Sequence, residues 1–144
     1  MRGIQLRQAL KIIENTLSLA RQASMPPLTL VVLDNGAHVK ASASEDGSGT
    51  ARFQIAKGKA AAALGMGFGT RQFHDLISQG VLPEMFANTI NGANNGEFIP
   101  LPGGILIYEG KALIGAIGIS GASSDQDEQL ALAGIKSQGL IASN

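Results

Sequence analysis

Two strand couples, each joined by only three or four residues, constrain this fold more than any other feature of the chain. Leu28 to Leu33 is a nearly continuous apolar run rich in β-branched residues, as suits a strand covered on both faces. Asp34, Asn35 and Gly36 follow, residues that tolerate the left-handed backbone of a tight turn. On the return, Val39, Ala41 and Ala43 alternate with His38, Lys40, Ser42 and Ser44, the period-two pattern of a half-buried strand. Ile105 to Tyr108 and Ala112 to Ser120 form the second couple across Glu109, Gly110 and Lys111. A parallel crossover needs a dozen or more residues, so both couples must be antiparallel.

Helical patterns surround them. Leu6, Leu10, Ile13, Leu17 and Ala20 make one apolar stripe ending before Pro26 and Pro27. Thr50 to about Leu64 reads as an alanine-dominated helix whose Phe53, Ala56, Ala60 and Leu64 face a sheet. So thin a wall calls for cover by another helix or a second subunit, which predicts a homo-oligomer. The glycines at 65, 67 and 69 end that helix, and Thr70 is expected to cap a short one through Ile77. Val81 to Pro102 reads as irregular. Ser124 caps a last helix running to about Lys136, with Asp125, Asp127 and Glu128 complementing its dipole. The order predicts a single α+β domain over residues 1–144, a mainly antiparallel sheet flanked by helices.

Composition excludes several classes. Lys plus Arg and Asp plus Glu number 11 each among 144 residues, so no charge excess draws the chain to nucleic acid or an anionic membrane. The absence of cysteine removes disulfides, thiol catalysis and thiolate metal sites. No apolar run approaches the roughly 20 residues of a membrane span, and Arg2, Arg7, Lys11 and Glu14 stand where a signal peptide needs apolar residues. A soluble, cytoplasmic protein is expected.

Few motifs carry chemistry. The glycines from Gly65 to Gly69 follow a helix instead of a strand, which argues for termination over dinucleotide binding. Ser120 lies where a nucleophile elbow would, but Ala122 replaces its second glycine and no base is placed beside it. His38 and His74 lack a metal-ligand spacing partner and read as surface histidines, and no metal site is expected. Pro102, Gly103 and Gly104 differ in kind: two glycines opening a strand either form an ordinary turn or bare their amides to a ligand.

Around that turn the chain resembles a known family. Pro102 to Ile105, Glu109 to Lys111, the run Gly115 to Gly121, Gln126 to Glu128, and Ala131 with Ala133 and Gly134 are similar to the carboxy-terminal signature of the GlcG/HbpS-like family. That family is often labelled haem-degrading and includes the carboxy-terminal domain of PduO-type corrinoid adenosyltransferases. Leu33 to His38, Asp46 with Gly47, and Lys59 with Ala60 extend the resemblance upstream. It implies a profilin-like layered fold, homo-oligomerisation, and a small-molecule site near the glycine turn that takes haem or a corrinoid-linked tetrapyrrole. Some members stand beside glycolate or diol metabolism. Leu106 replaces a common proline, Glu45 a frequent methionine, and the first helix has no histidine to match the haem ligand of the PduO-type domain.

Two functions follow as expectations. One is an accessory binding protein holding its ligand between the second helix and the glycine turn, with Asp46, Gly47, Lys59, Gly103, Gly104 and His38 as candidate ligand-binding residues. The alternative is a small enzyme acting on a hydroxy acid or related oxygenated metabolite, with Lys59 and His38 as charge partners. A lone lysine on a helix otherwise reads as solvated, and no nucleophile–base pair is visible.

Overall fold

Strand β1 (Thr29–Asp34) is buried along almost its whole length, because it lies inside a sheet covered on both faces. A computed structural model describes residues 2–144. Its five strands run in the order β2-β1-β4-β3-β5, with β2 (Val39–Ser44), β3 (Gly104–Glu109), β4 (Ala112–Ser120) and β5 (Ile141–Ser143). Each pairing is antiparallel. Both expected hairpins form, and β1 and β4 pair from Thr29 opposite Ser120 to Asp34 opposite Gly115.

The helices α1 (Leu6–Gln22), α2 (Arg52–Met66), α3 (Thr70–Ser78), α4 (Glu84–Ala93) and α5 (Ser124–Lys136) complete an α+β layered domain. On one face Leu30, Val32, Ile105, Ile107, Ile117 and Ile119 meet the inner sides of α1 and α5. On the other, Val31, Leu33, Leu106 and Ala116 meet Ala56, Ala60 and Ala63 of α2. The alternation of side chains along a strand sorts these residues to the two faces.

Small residues decide how closely the layers approach. A Cβ on Gly118 of β4 would lie 1.8 Å from the Ala56 carbonyl oxygen, and one on Gly115 would lie 2.2 Å from that of Leu33. Both glycines sit where another backbone comes close, that of α2 in the next layer at Gly118 and that of the neighbouring strand β1 at Gly115. Between α1 and α5, a Cβ on Gly134 would meet Thr16 Oγ1 at 2.0 Å. Gly134→Ala is therefore expected to push these helices apart and destabilise by about 1–3 kcal/mol, the usual range for overpacking. Thermal melts against a Gly92→Ala control, which enters open space, check it.

The structure corrects several local expectations. Leu6 and Leu10 are 53% and 49% exposed, because α1 turns Ala9, Ile12, Ile13, Thr16 and Ala20 inward and its small residues allow contact with α5. Thr70 is not a cap: Gly69 is, and the threonine hydroxyl is used elsewhere. Residues 81–102 are not wholly irregular, since α4 forms after Pro83 and sets Phe86 and Ile90 against Phe73 and Phe98. Proline is harmless before a helix, where no amide partner is lost. The last helix is capped by Ser123, whose side chain accepts from the Gln126 amide in a capping box. The three-residue β5 adds an edge strand that no sequence pattern announces.

Helix α2 also has cover from within the chain. Gly58 lies under Ile99, whose amide donates to the Gly58 carbonyl at 3.1 Å, and Ala62 packs with Phe73 and Phe98. The chain's own segment after α4 covers part of the side of α2 that the sheet leaves open, at Gly58 and Ala62.

Candidate functional site

Lys59 stands in the buried stretch of α2, 2% exposed, contrary to the expectation of a solvated lysine. Its Nζ donates to the Ile119 carbonyl at 2.8 Å and to Asp127 Oδ2 at 3.1 Å. Asp127 Oδ1 accepts from the Ala122 amide at 3.0 Å. Desolvation pushes the Lys59 ammonium below its ordinary range, and the attraction of Asp127 offsets this without cancelling it. Burial likewise raises the Asp127 carboxyl against the pull of Lys59. Arg52 adds a further positive charge nearby, its Nη1 donating to Ser120 Oγ at 3.2 Å.

Asp127 and Glu128 are thus more than complements to a helix dipole. They are 1% and 4% exposed, and each holds a cation. Arg71 of α3 donates through Nε to Glu128 at 3.2 Å and through Nη2 to Asp125; these hydrogen bonds raise the guanidinium further above its usual range. Two cations from the α2 and α3 layer therefore grip the first turns of α5. The one legible hint was a lysine inside an alanine run, facing acids that precede an apolar helix.

Gly103 and Gly104 close on this node. A Cβ on Gly103, whose φ is +123°, would come within 3.0 Å of Lys59 Nζ. One on Gly104 would lie 2.3 Å from the Lys59 carbonyl oxygen. The Gly104 amide donates to Thr70 Oγ1 at 2.9 Å, the use found for that threonine. The two glycines set their backbone against α2 and α3, and within the chain α2 itself occupies the space expected between it and this turn.

The remaining expected residues lie apart. His38 is largely exposed at the β1–β2 turn, its Nδ1 3.2 Å from Asp34 Oδ1. Partial burial raises the Asp34 carboxyl, but the His38 and Gly36 amides and the imidazole together bring it below its usual value. Asp46 and Gly47 are exposed beyond the far end of β2, where Asp46 joins Arg21, Pro27, Ser44 and Glu45 around a polar hollow. Lys59 and His38 share no contact, which removes the geometry of an enzyme using them as partners. His74 pairs with neighbouring Asp75 at the surface. Among the described residues no three His, Asp or Glu side chains converge as a metal site, and no helix is long and apolar enough to cross a membrane.

A ligand-sized apolar groove lies elsewhere. Leu19 of α1, Ala23 and Met25 just beyond it, and Leu130 and Ala133 of α5 line a groove of about 450 Å³ whose rim is formed by Asp125, Gln126 and Gln129. Its α5 wall begins at the turns that Lys59 and Arg71 hold. The groove departs from the expected site because α1 directs its innermost side chains at the sheet and leaves Leu19 and Met25 partly open.

A family model described as "Haem degrading protein HbpS-like" matches residues 4–136. Among curated proteins no sequence matches the chain. Among solved structures, a PduOC–haem complex superposes with a TM-score of 0.86 at 19% identity, covering 99% of both chains. The Klebsiella pneumoniae protein ORFY gives 0.83 at 22% identity, with 96% of this chain and 92% of that one covered. A double mutant of Streptomyces reticuli HbpS gives 0.80 at 24% identity, covering 95% and 88%. At these identities the likeness establishes the fold.

Proposed function

The chain belongs to the HbpS-like family, and from that premise we propose that it is a binding protein for haem, held by apolar contact in the groove between α1 and α5. The observation that carries this reading is the groove's almost wholly apolar lining, which suits a flat hydrophobic ring better than a polar metabolite. Leu19, Leu130 and Ala133 supply ring contact. Haem brings an iron that takes nitrogen or sulfur ligands, and Met25 is the soft donor bordering the groove. Neither histidine lines it. Ring burial would therefore carry most of the affinity, with Met25 the residue that would hold the iron.

A corrinoid is no part of this reading. Homo-oligomerisation rests on the alanine-rich α2 and the family resemblance, a cytoplasmic location on the charged residues Arg2, Arg7, Lys11 and Glu14, and a setting in glycolate or diol metabolism on the resemblance alone.

Titration of the apoprotein with haemin, followed in the Soret region, tests the proposal. Ala133→Asp is expected to abolish the complex, because an ionised carboxylate would lie against the ring. His38→Ala and His74→Ala should bind as the parent does, and Met25→Ala should alter the spectrum more than the affinity. A complex lost in His38→Ala and retained in Ala133→Asp would overturn both the groove and the mode of ligation.

A further inference from the structure

On the face of the sheet opposite the haem groove, a cleft of about 410 Å³ lies between the β1–β2 turn, the outer flank of α2 and the segment after α4. Its apolar side is made by Leu64 and Phe98. The phenyl ring rests on Gly65, where a Cβ would meet it at 2.0 Å, so the missing side chain makes room for the ring. Its polar groups are opposite charges and carboxamides: Lys57 with Glu97, and Asn35 with Asn94.

Lys57 Nζ and Glu97 Oε1 are 3.1 Å apart, with side chains 28% and 50% exposed. Ion pairs this open to water contribute little, so their separation is cheap. Glu97 is also on a yielding segment. Helix α4 fully buries none of its own residues, and Asn95 and Gly96 before Glu97 both have positive φ. Phe98 and the Ile99 amide anchor the chain directly after it. Asn94 donates through Nδ2 to the Ile90 carbonyl at 2.8 Å, leaving its side-chain Oδ1 as an acceptor.

We propose that this cleft binds a free α-amino acid with an apolar side chain. The ligand carboxylate takes Lys57 and its ammonium takes Glu97, with Asn94 Oδ1 as a further acceptor. Its side chain lies on Leu64 and Phe98. One exposed ion pair is thereby exchanged for two that the ligand's apolar body shields from water, where charge-assisted hydrogen bonds are stronger. A molecule with only one of the two charges leaves Lys57 or Glu97 covered and unpaired, and that penalty is the source of selectivity. This site is independent of the haem reading, since it shares no residue with the α1–α5 groove.

Amide NMR titration of the full chain with L-leucine, N-acetyl-leucine and leucinamide separates the possibilities. Leucine should shift Asn35, Ala61 and Phe98 saturably, and each singly charged analogue should bind at least about tenfold more weakly, as expected for loss of one charged contact. Lys57→Gln and Glu97→Gln should each reduce leucine to the affinity of the analogues, and Leu64→Asp should remove binding. Melting curves confirm that the variants are folded. No saturable shift with leucine at millimolar concentration, equal binding of all three probes, or leucine affinity indifferent to both charge variants overturns the proposal.

Discussion

Gly118→Ala is expected to unseat α2 from its sheet. The added methyl would lie 1.8 Å from the Ala56 carbonyl oxygen and 3.0 Å from the Ala60 nitrogen. Both are backbone atoms, so no side chain can rotate out of the way. Overpacking costs about 1–3 kcal/mol where side chains yield, and more where a helix must move. Above about 3 kcal/mol, the melting temperature falls by roughly 6–12 °C for a chain of this size. Gly104→Ala should act alike, because its nearest obstacle is the Lys59 carbonyl oxygen at 2.3 Å. Gly92→Ala, entering open space in α4, should be neutral or stabilising by up to about 1 kcal/mol. A Gly118→Ala protein that melts with the parent would mean that α2 does not lie on β4 as described.

The second large effect concerns the buried pair. Lys59→Met leaves the Asp127 carboxylate buried without its cation, and Asp127→Asn leaves the ammonium without its counter-charge. Breaking such a pair costs about 3–5 kcal/mol, whereas replacing both partners by apolar residues of similar volume is often neutral or better. Lys59→Met with Asp127→Leu should therefore recover much of what either single change loses, as a double-mutant cycle on urea midpoints would show.

The pair also predicts the sign of a pH dependence. Lys59 titrates below 10.5 in the folded chain, so between its folded value and 10.5 the unfolded chain binds more protons and stability rises with pH. Asp127 titrates above 3.8 when folded, so from 3.8 up to its folded value the native state holds the extra proton and stability falls as pH rises. Both slopes should vanish in the apolar double variant. Slopes unchanged there would assign them to other groups.

Much of the fold was legible because its signals are local. The Asp34 to Gly36 turn, the β-branched run before it, and the alternation after it each act within a few residues, and both hairpins form where those signals place them. The family resemblance reached the layered fold by another route, through the glycine signature of the last third. Helix α4 was obscured by its own composition: asparagines and prolines disfavour a helix in isolation, and only the distant Phe73 and Phe98 give Phe86 and Ile90 something to cover.

The candidate sites were less legible, because residue types do not report burial. Lys59 on an alanine helix has the look of a solvated charge, and Gly103 with Gly104 that of a turn open to a ligand. Yet Lys59 belongs to an ion pair with Asp127, 68 positions along the chain, and the glycines admit a helix backbone. By itself the sequence determined the two antiparallel couples and the long helices that cover them, since backbone sterics and hydrophobic periodicity act over short spans. Tertiary structure alone decided which faces those glycines serve, which charges are buried together, and where apolar surface stays open, because each depends on desolvation and packing between segments that approach only when the layers close.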